Sequence, residues 1–256
     1  MKAIIISAAL SLSALFAACN PLYRTNNGPL VTSTDSSKGF AVVELFTSEG
    51  CSSCPPADEL LAKLEQESNG KQLYLLAFHV DYWDHQGWKD SFSQHIFSER
   101  QEEYAGWLNL NTVYTPQIVV NGRSQYVGSD VANITYAINQ ALEATPPETL
   151  NLKATPAAGG LSVSWAPLSP QKNTRLLLAL VQKNAQSNVR AGENAGRKLS
   201  HVQIVKQLTS IDPKRASLAM VPTPAGFNTQ DWELIGFLQR NSDGKILAAT
   251  KTNLNQ

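Results

Sequence analysis

Phe40 to Phe46 is a short, β-branched apolar run, and a few residues later comes Gly50-Cys51-Ser52-Ser53-Cys54-Pro55-Pro56. Nothing else in the sequence constrains the fold as much. The run reads as a buried strand. Pro55 and Pro56 open a helix, because the first turn leaves its amide donors unpaired in any case. Leu60, Leu61 and Leu64 give that helix an apolar stripe. The two cysteines therefore sit where a strand hands over to a helix.

That junction has chemical consequences. The thiolate is the attacking species in disulfide exchange, and the positive end of a helix stabilises a thiolate held there. Position makes Cys51 the nucleophile and the more exposed thiol. Cys54, about one turn further on, can resolve a mixed disulfide. Half a zinc site is another use of C-x-x-C, but it needs two more ligands, and no second C-x-x-C or H-x-x-x-H follows. Two further uses stay open: the thiols could hold Cu(I), which soft thiolates suit, or the pair could be a structural disulfide in an interaction module. The last would stabilise little, since the closed loop is tiny.

Downstream, Leu73–Val80 reads as a second strand, 92–107 as a helix and Gln117–Val120 as a third strand. Asn121-Gly122 is a tight-turn signal, with Gln125–Val127 as hairpin partner. Asp130 is an N-cap for a helix running to about Ala144. This order predicts an α/β layer with a crossover and an antiparallel edge over residues 39–145. Thr145-Pro146-Pro147-Glu148 breaks the pattern. Seven strand-like runs follow, at 150–153, 161–165, 175–182, 201–208, 216–221, 233–239 and 245–250. They predict a smaller all-β, sandwich-like domain over 149–256.

Residues 1–18, basic at Lys2 and then apolar and small, read as a secretory signal peptide, too short for a comfortable membrane span. They end in Ala17-Ala18-Cys19, which resembles the lipobox of bacterial lipoproteins, although Phe16 stands where Leu is commonest. The resemblance implies that Cys19 carries the lipid and that residues 19–38, polar and turn-rich, are a flexible tether. The expected location is periplasmic and membrane-anchored, with Asn20 after Cys19 pointing to the outer membrane. The cysteine count agrees: there are three in all, and a lipidated Cys19 leaves only the C-x-x-C pair. Lys plus Arg and Asp plus Glu are both 21, so no basic face argues for nucleic acid.

Val42–Pro55 resembles the active-site strand and loop of thioredoxins and glutaredoxins, and Tyr114–Gly122 resembles that superfamily's cis-proline loop and next strand. The resemblance implies a thioredoxin-like domain over 39–145. It implies a cis Thr115-Pro116 bond packed against the thiols, with Thr115 presenting its backbone to an extended substrate. The implied activity is that of an exported thiol–disulfide oxidoreductase on protein or small-thiol substrates. Its partners would be exported or redox proteins, and it would need no cofactor beyond its own disulfide. One position departs. The buried acid that usually stands six residues before the first cysteine is Leu45 here, and Glu44 is one residue off, on the opposite strand face. The whole chain, with its Cys-Ser-Ser-Cys-Pro-Pro-Ala-Asp motif, also resembles an exported bacterial family of unknown function, which supplies no reaction.

Fainter signals surround this core. His79, Asp81, Asp84, His85 and His95 could ligate a transition metal or shape the rim of the site, and His79 and Asp81 would share a face if their strand continues. Glu44, His79, Asp81 and Trp83 are the candidate rim residues, with no metal expected. Trp83, Trp88 and Trp107 suit a binding surface or a core. The Gly-containing loop from Arg190 to His201 is expected to pack on the first domain near the thiols.

Overall fold

In the computed structural model, the residues described are 28–32, 38–166, 168, 173–252 and 254. The first half runs β1 (Ala41–Thr47), α1 (Pro55–Gln66), β2 (Leu73–His79), α2 (His95–Trp107), β3 (Gln117–Val120), β4 (Ser124–Val127) and α3 (Val131–Glu143). The second half is seven strands: β5 (Leu152–Ala157), β6 (Gly160–Trp165), β7 (Thr174–Asn188), β8 (Lys198–Ile211), β9 (Leu218–Pro222), β10 (Trp232–Arg240) and β11 (Ile246–Thr252). The chain is thus mixed α/β and dominated by strands.

Local chemistry explains the first half. Every residue of β1 and of β2 is buried, as expected of a parallel pair covered on both faces; the two run in parallel from Ala41 opposite Leu73 to Thr47 opposite His79. β3 lies antiparallel on the other edge of β1, and β4 folds back along β3. The turn between them has both Asn121 and Gly122 at positive φ, the conformation an Asn-Gly hairpin favours. Asn121 also ties the turn to β1: its side-chain oxygen accepts from the Val42 amide at 2.7 Å and its nitrogen donates to the Phe40 carbonyl at 3.0 Å. Asp130 caps α3, accepting from the Asn133 amide.

The second half is not a separate sandwich. Four of its strands extend the first sheet, giving the order β11-β10-β7-β8-β2-β1-β3-β4. The join is short, a parallel step at Ala77 opposite Ile204. The other three strands form a small sheet, β5-β6-β9. Alternation along the strands shows how the layers share the core. On β1, Val42 and Phe46 face α2, and the same cluster takes Leu177, Ala179 and Val181 of β7. Ala41, Val43 and Leu45 face the opposite way, onto α1 and α3. Leu176, Leu178 and Leu180 also face the opposite way and meet the small sheet through Leu161, Val163 and Val221. The large sheet therefore has one face shared along its length and another divided between helices and a second sheet. β7 and β8 reach well past the expected runs as a long antiparallel ribbon, pairing from Leu176 with Ile211 to Asn188 with Lys198.

The expected signal peptide and Cys19 lie outside the described residues. The expected tether is corrected at one point. Val31 is buried against α1 and α3; its amide donates to Glu67 and its carbonyl accepts from Lys71, both at 2.9 Å. Leu30 packs beside it, and Asn139 of α3 bonds the Thr32 amide and the Leu30 carbonyl. Among the described residues no helix is long and apolar enough to cross a membrane.

Candidate functional site

Cys51 and Cys54 are joined by a disulfide at the junction of β1 and α1. The loop before α1 is wound tightly: the Cys51 amide bonds the Ser48 carbonyl, and the Cys54 amide bonds the Cys51 carbonyl. Cys54 occupies the N-cap position of α1, where no side chain caps the helix, so the helix end faces the disulfide.

Thr115-Pro116 is a cis peptide, and it comes close to the same helix end. Gly128 is wedged between them: a Cβ there would lie 2.7 Å from both the Ala57 and the Pro116 β-carbons. Trp83 links the two loops. Its indole NH donates to the Thr115 hydroxyl at 2.8 Å, and its Cβ lies 3.0 Å from where a Gly50 β-carbon would be. Of the four expected rim residues, Trp83 alone touches the loops around the disulfide.

The others are placed elsewhere. Glu44 is fully buried on the α2 side, where it accepts from Arg100 Nε at 2.6 Å and from the Tyr104 hydroxyl. Its side chain leaves the β1 face opposite to the one carrying Leu45, so it neither lines a rim nor serves Cys54. His79 is also fully buried, with Nδ1 2.7 Å from Asp90. Asp81 lies beyond the end of β2 and bonds Ser98 and His95. Because β2 stops at His79, the alternation that would have put His79 and Asp81 on one face does not continue. Asp84 instead accepts from Ser93 and from the Asp90 amide. Among the described residues, no three His, Cys, Asp or Glu converge as metal ligands.

Cys51 is not the exposed thiol expected from its position. Both cysteines are fully buried, because the tip of the β7–β8 ribbon closes over them. Buried Asn194 donates its side-chain amide to the carbonyls of Glu49 and Cys51, each at 2.9 Å. Glu193 accepts from the Ser52 amide at 2.9 Å. The loop from Arg190 to His201 thus packs where the sequence placed it.

The disulfide is backed by a buried ionic cluster that the sequence reading did not single out. Glu49 accepts from the Trp88 indole at 2.7 Å and from the Ser187 hydroxyl. Asp58, one turn past Cys54 on α1, accepts from Thr47 at 3.2 Å. Between the two carboxylates lies His201 of β8, with Nε2 3.4 Å from Glu49 and Nδ1 3.8 Å from Asp58. These are charge contacts; among the described residues neither ring nitrogen has a hydrogen-bond partner. Burial alone would push the imidazole down, yet the two acids outweigh it and raise His201 to about 9. The His201 and His79 rings meet edge to face at 4.9 Å. Behind them, burial would raise Asp90, but His79 and the amides of Glu49 and Phe92 hold it down at about 2. A cleft of about 290 Å³, lined by Pro55, Asp58, Glu59, Arg197, Lys198 and His201, reaches this cluster from the surface. A sequence signal for Asp58 did exist. It is an acid in helical phase with Leu61, on the buried stripe of α1.

Among solved structures, a protein of Agrobacterium tumefaciens determined by a structural-genomics consortium is 29% identical, with a TM-score of 0.64, over 88% of this chain and 97% of that one. HBP35 of Porphyromonas gingivalis is 18% identical, with a TM-score of 0.58, over 86% of this chain and 77% of that one, a likeness of fold alone. No curated protein matches. The model of the family described as "Protein of unknown function (DUF1223)" matches residues 42–239, a span that holds both cysteines, Thr115-Pro116, Asn194 and the Glu49–His201–Asp58 cluster; the chain belongs to this family.

Proposed function

We propose that this protein is an exported thiol–disulfide oxidoreductase whose redox couple is Cys51–Cys54. The observation that carries the reading is the placement of the disulfide at the N-terminal end of α1, with Thr115-Pro116 near the same helix end and ionisable groups buried nearby. A disulfide serving only as a staple has no use for that cluster, since burying charge is costly. The thioredoxin-like reading of the first half is supported by its sheet order, β2-β1-β3-β4, with β1 and β2 parallel and β3 antiparallel to β1.

In the direction that oxidises substrate, a substrate thiolate attacks Cys51 Sγ. The Cys51–Cys54 bond breaks, and Cys54 leaves with the electron pair. A second substrate thiolate then attacks the substrate sulfur of the mixed disulfide and releases Cys51 as thiolate. Two electrons pass from substrate to protein, and the reverse sequence reduces a substrate disulfide. Export rests on residues 1–18, and attachment to a membrane rests on lipid at Cys19. Acyl chains would provide the affinity, so Cys19→Ser should shift the protein from the membrane to the soluble fraction.

Equilibration of the Cys51–Cys54 couple with glutathione tests the reading. A redox enzyme gives a two-electron equilibrium within reach of glutathione buffers. A pair that stays oxidised in every such buffer contradicts it. Cu(I) delivery by the same thiols makes a different forecast: one Cu(I) bound by the reduced protein and lost in either single cysteine variant.

A further inference from the structure

Breaking the Cys51–Cys54 bond leaves negative charge on the departing sulfur, and Cys54, Glu49 and Asp58 are all buried. Asp58 lies four residues past Cys54 on α1, where β-carbons are roughly 5–6 Å apart. Glu49 stands in the loop two residues before Cys51. A thiolate at Cys54 would be a third anion near two buried carboxylates. Like charges held together at low dielectric are strongly disfavoured. His201 supplies a cation between the two acids, and it arrives from β8, on the other side of the expected domain boundary.

Resting on the redox reading above, we propose that Asp58 and His201 are the proton-transfer pair for Cys54: the imidazolium gives up its proton through Asp58 to the departing Cys54 sulfur, and solvent in the cleft restores it. The substrate thiolate forms one S–S bond as the internal one breaks, Cys54 ends as a thiol, His201 ends neutral, and water in the cleft reprotonates it. Three features support this. Asp58 is fixed from behind by Thr47, on the β1 face that points to α1. The His201 ring stands between the two acids and turns Nδ1 toward Asp58, at 3.8 Å. The cleft reaches Asp58 and His201 together. Glu44 is excluded from the role by its pairing with Arg100 on the opposite face.

The charged and titratable groups around His201 are Asp58 from α1, Glu49 from the loop, His79 of β2 with Asp90 behind it, and Glu59, Arg197 and Lys198 at the cleft. Lys206 of the same strand lies over Phe92, 4.8 Å from the ring centre. Arg197, Lys198 and Glu59 are exposed, so solvent screens their effect on the ring.

The test is reduction of the oxidised protein by dithiothreitol, with each rate divided by the dithiothreitol thiolate concentration. In the wild type the corrected rate should fall about 100-fold as pH rises through about 9, the low end for loss of a general acid. His201→Gln and Asp58→Asn should run at the low rate at every pH, while Asp58→Glu keeps the fall. A flat wild-type profile, or a fall that survives in His201→Gln, overturns the proposal and leaves the redox reading standing. A folded wild type that dithiothreitol does not reduce at any pH overturns the redox reading itself. If the variants do not fold, nuclear magnetic resonance of the wild-type imidazole decides. His201 should titrate at a different pH in the oxidised and the reduced protein, and identical midpoints contradict the proposal.

Discussion

The side-chain amide of Asn194 donates to the backbone carbonyl of Cys51 at 2.9 Å, across 143 residues of chain. This contact ties the second half of the molecule to the loop that carries the buried sulfur. Lifting of the tip of the β7–β8 ribbon is expected to limit entry to Cys51. Replacing Asn194 by Ala removes both carbonyl contacts, each a neutral hydrogen bond of about 1 kcal/mol. Alkylation of Cys51 in the reduced protein should speed up about tenfold or more at constant pH. An unchanged rate would mean the ribbon tip does not limit entry.

The His201 cluster predicts a pH signature in stability. Folding raises the imidazole from its ordinary 6.5 to about 9. Its contribution is therefore fully present below pH 6.5 and is lost as pH rises through about 9. From the size of the shift, the loss is roughly 3 kcal/mol. Urea unfolding of the oxidised protein should show stability declining over this window in the wild type and changing much less in His201→Gln. Equal declines in both would place the titrating group elsewhere.

Glu44 and Arg100 make a contrasting case. Both are buried, and they pair at 2.6 Å, with Arg100 also bonded to Gln239 of β10 and to Tyr104. Removing one partner strands a buried charge, so Arg100→Met should cost about 3–5 kcal/mol. Exchange by the folded protein should be unaffected, because this pair lies on the face of β1 away from α1. Glu44→Gln tests that separation: a changed pH profile for cysteine alkylation would show that Glu44 does reach the site.

How much of this was legible in the sequence can be read residue by residue. The apolar run at Phe40–Phe46, the proline start of α1, the Asn121-Gly122 turn and the Asp130 cap are local signals, and each yielded an element of the expected type. Each of the seven C-terminal runs overlaps a strand, the first only from Leu152. Their assembly was not legible. A single parallel pairing of Ala77 with Ile204 fuses two expected layers into one sheet, and no local pattern encodes such a contact. The outer ends of β7 and β8 were missed because Lys183–Asn188 and Lys198–Ser200 are mostly polar and carry no continuous apolar run, although Leu199 is buried. The site was legible as far as Cys51, Cys54, Thr115, Pro116 and Trp83. Glu49, Asn194 and His201 were not, because each acquires its meaning only from a partner more than 130 residues away in the chain.

Covalent trapping tests the central claim most directly. In Cys54→Ala, Cys51 can still attack a substrate disulfide, but nothing resolves the product. Expressed in its own cell envelope, this variant should accumulate disulfide-linked complexes that a reductant releases. Cys51→Ala should accumulate none, and both variants should remain folded. If Cys54→Ala forms no mixed disulfides while Cys51 can still be alkylated, the Cys51–Cys54 pair does not exchange with protein thiols and the account is wrong.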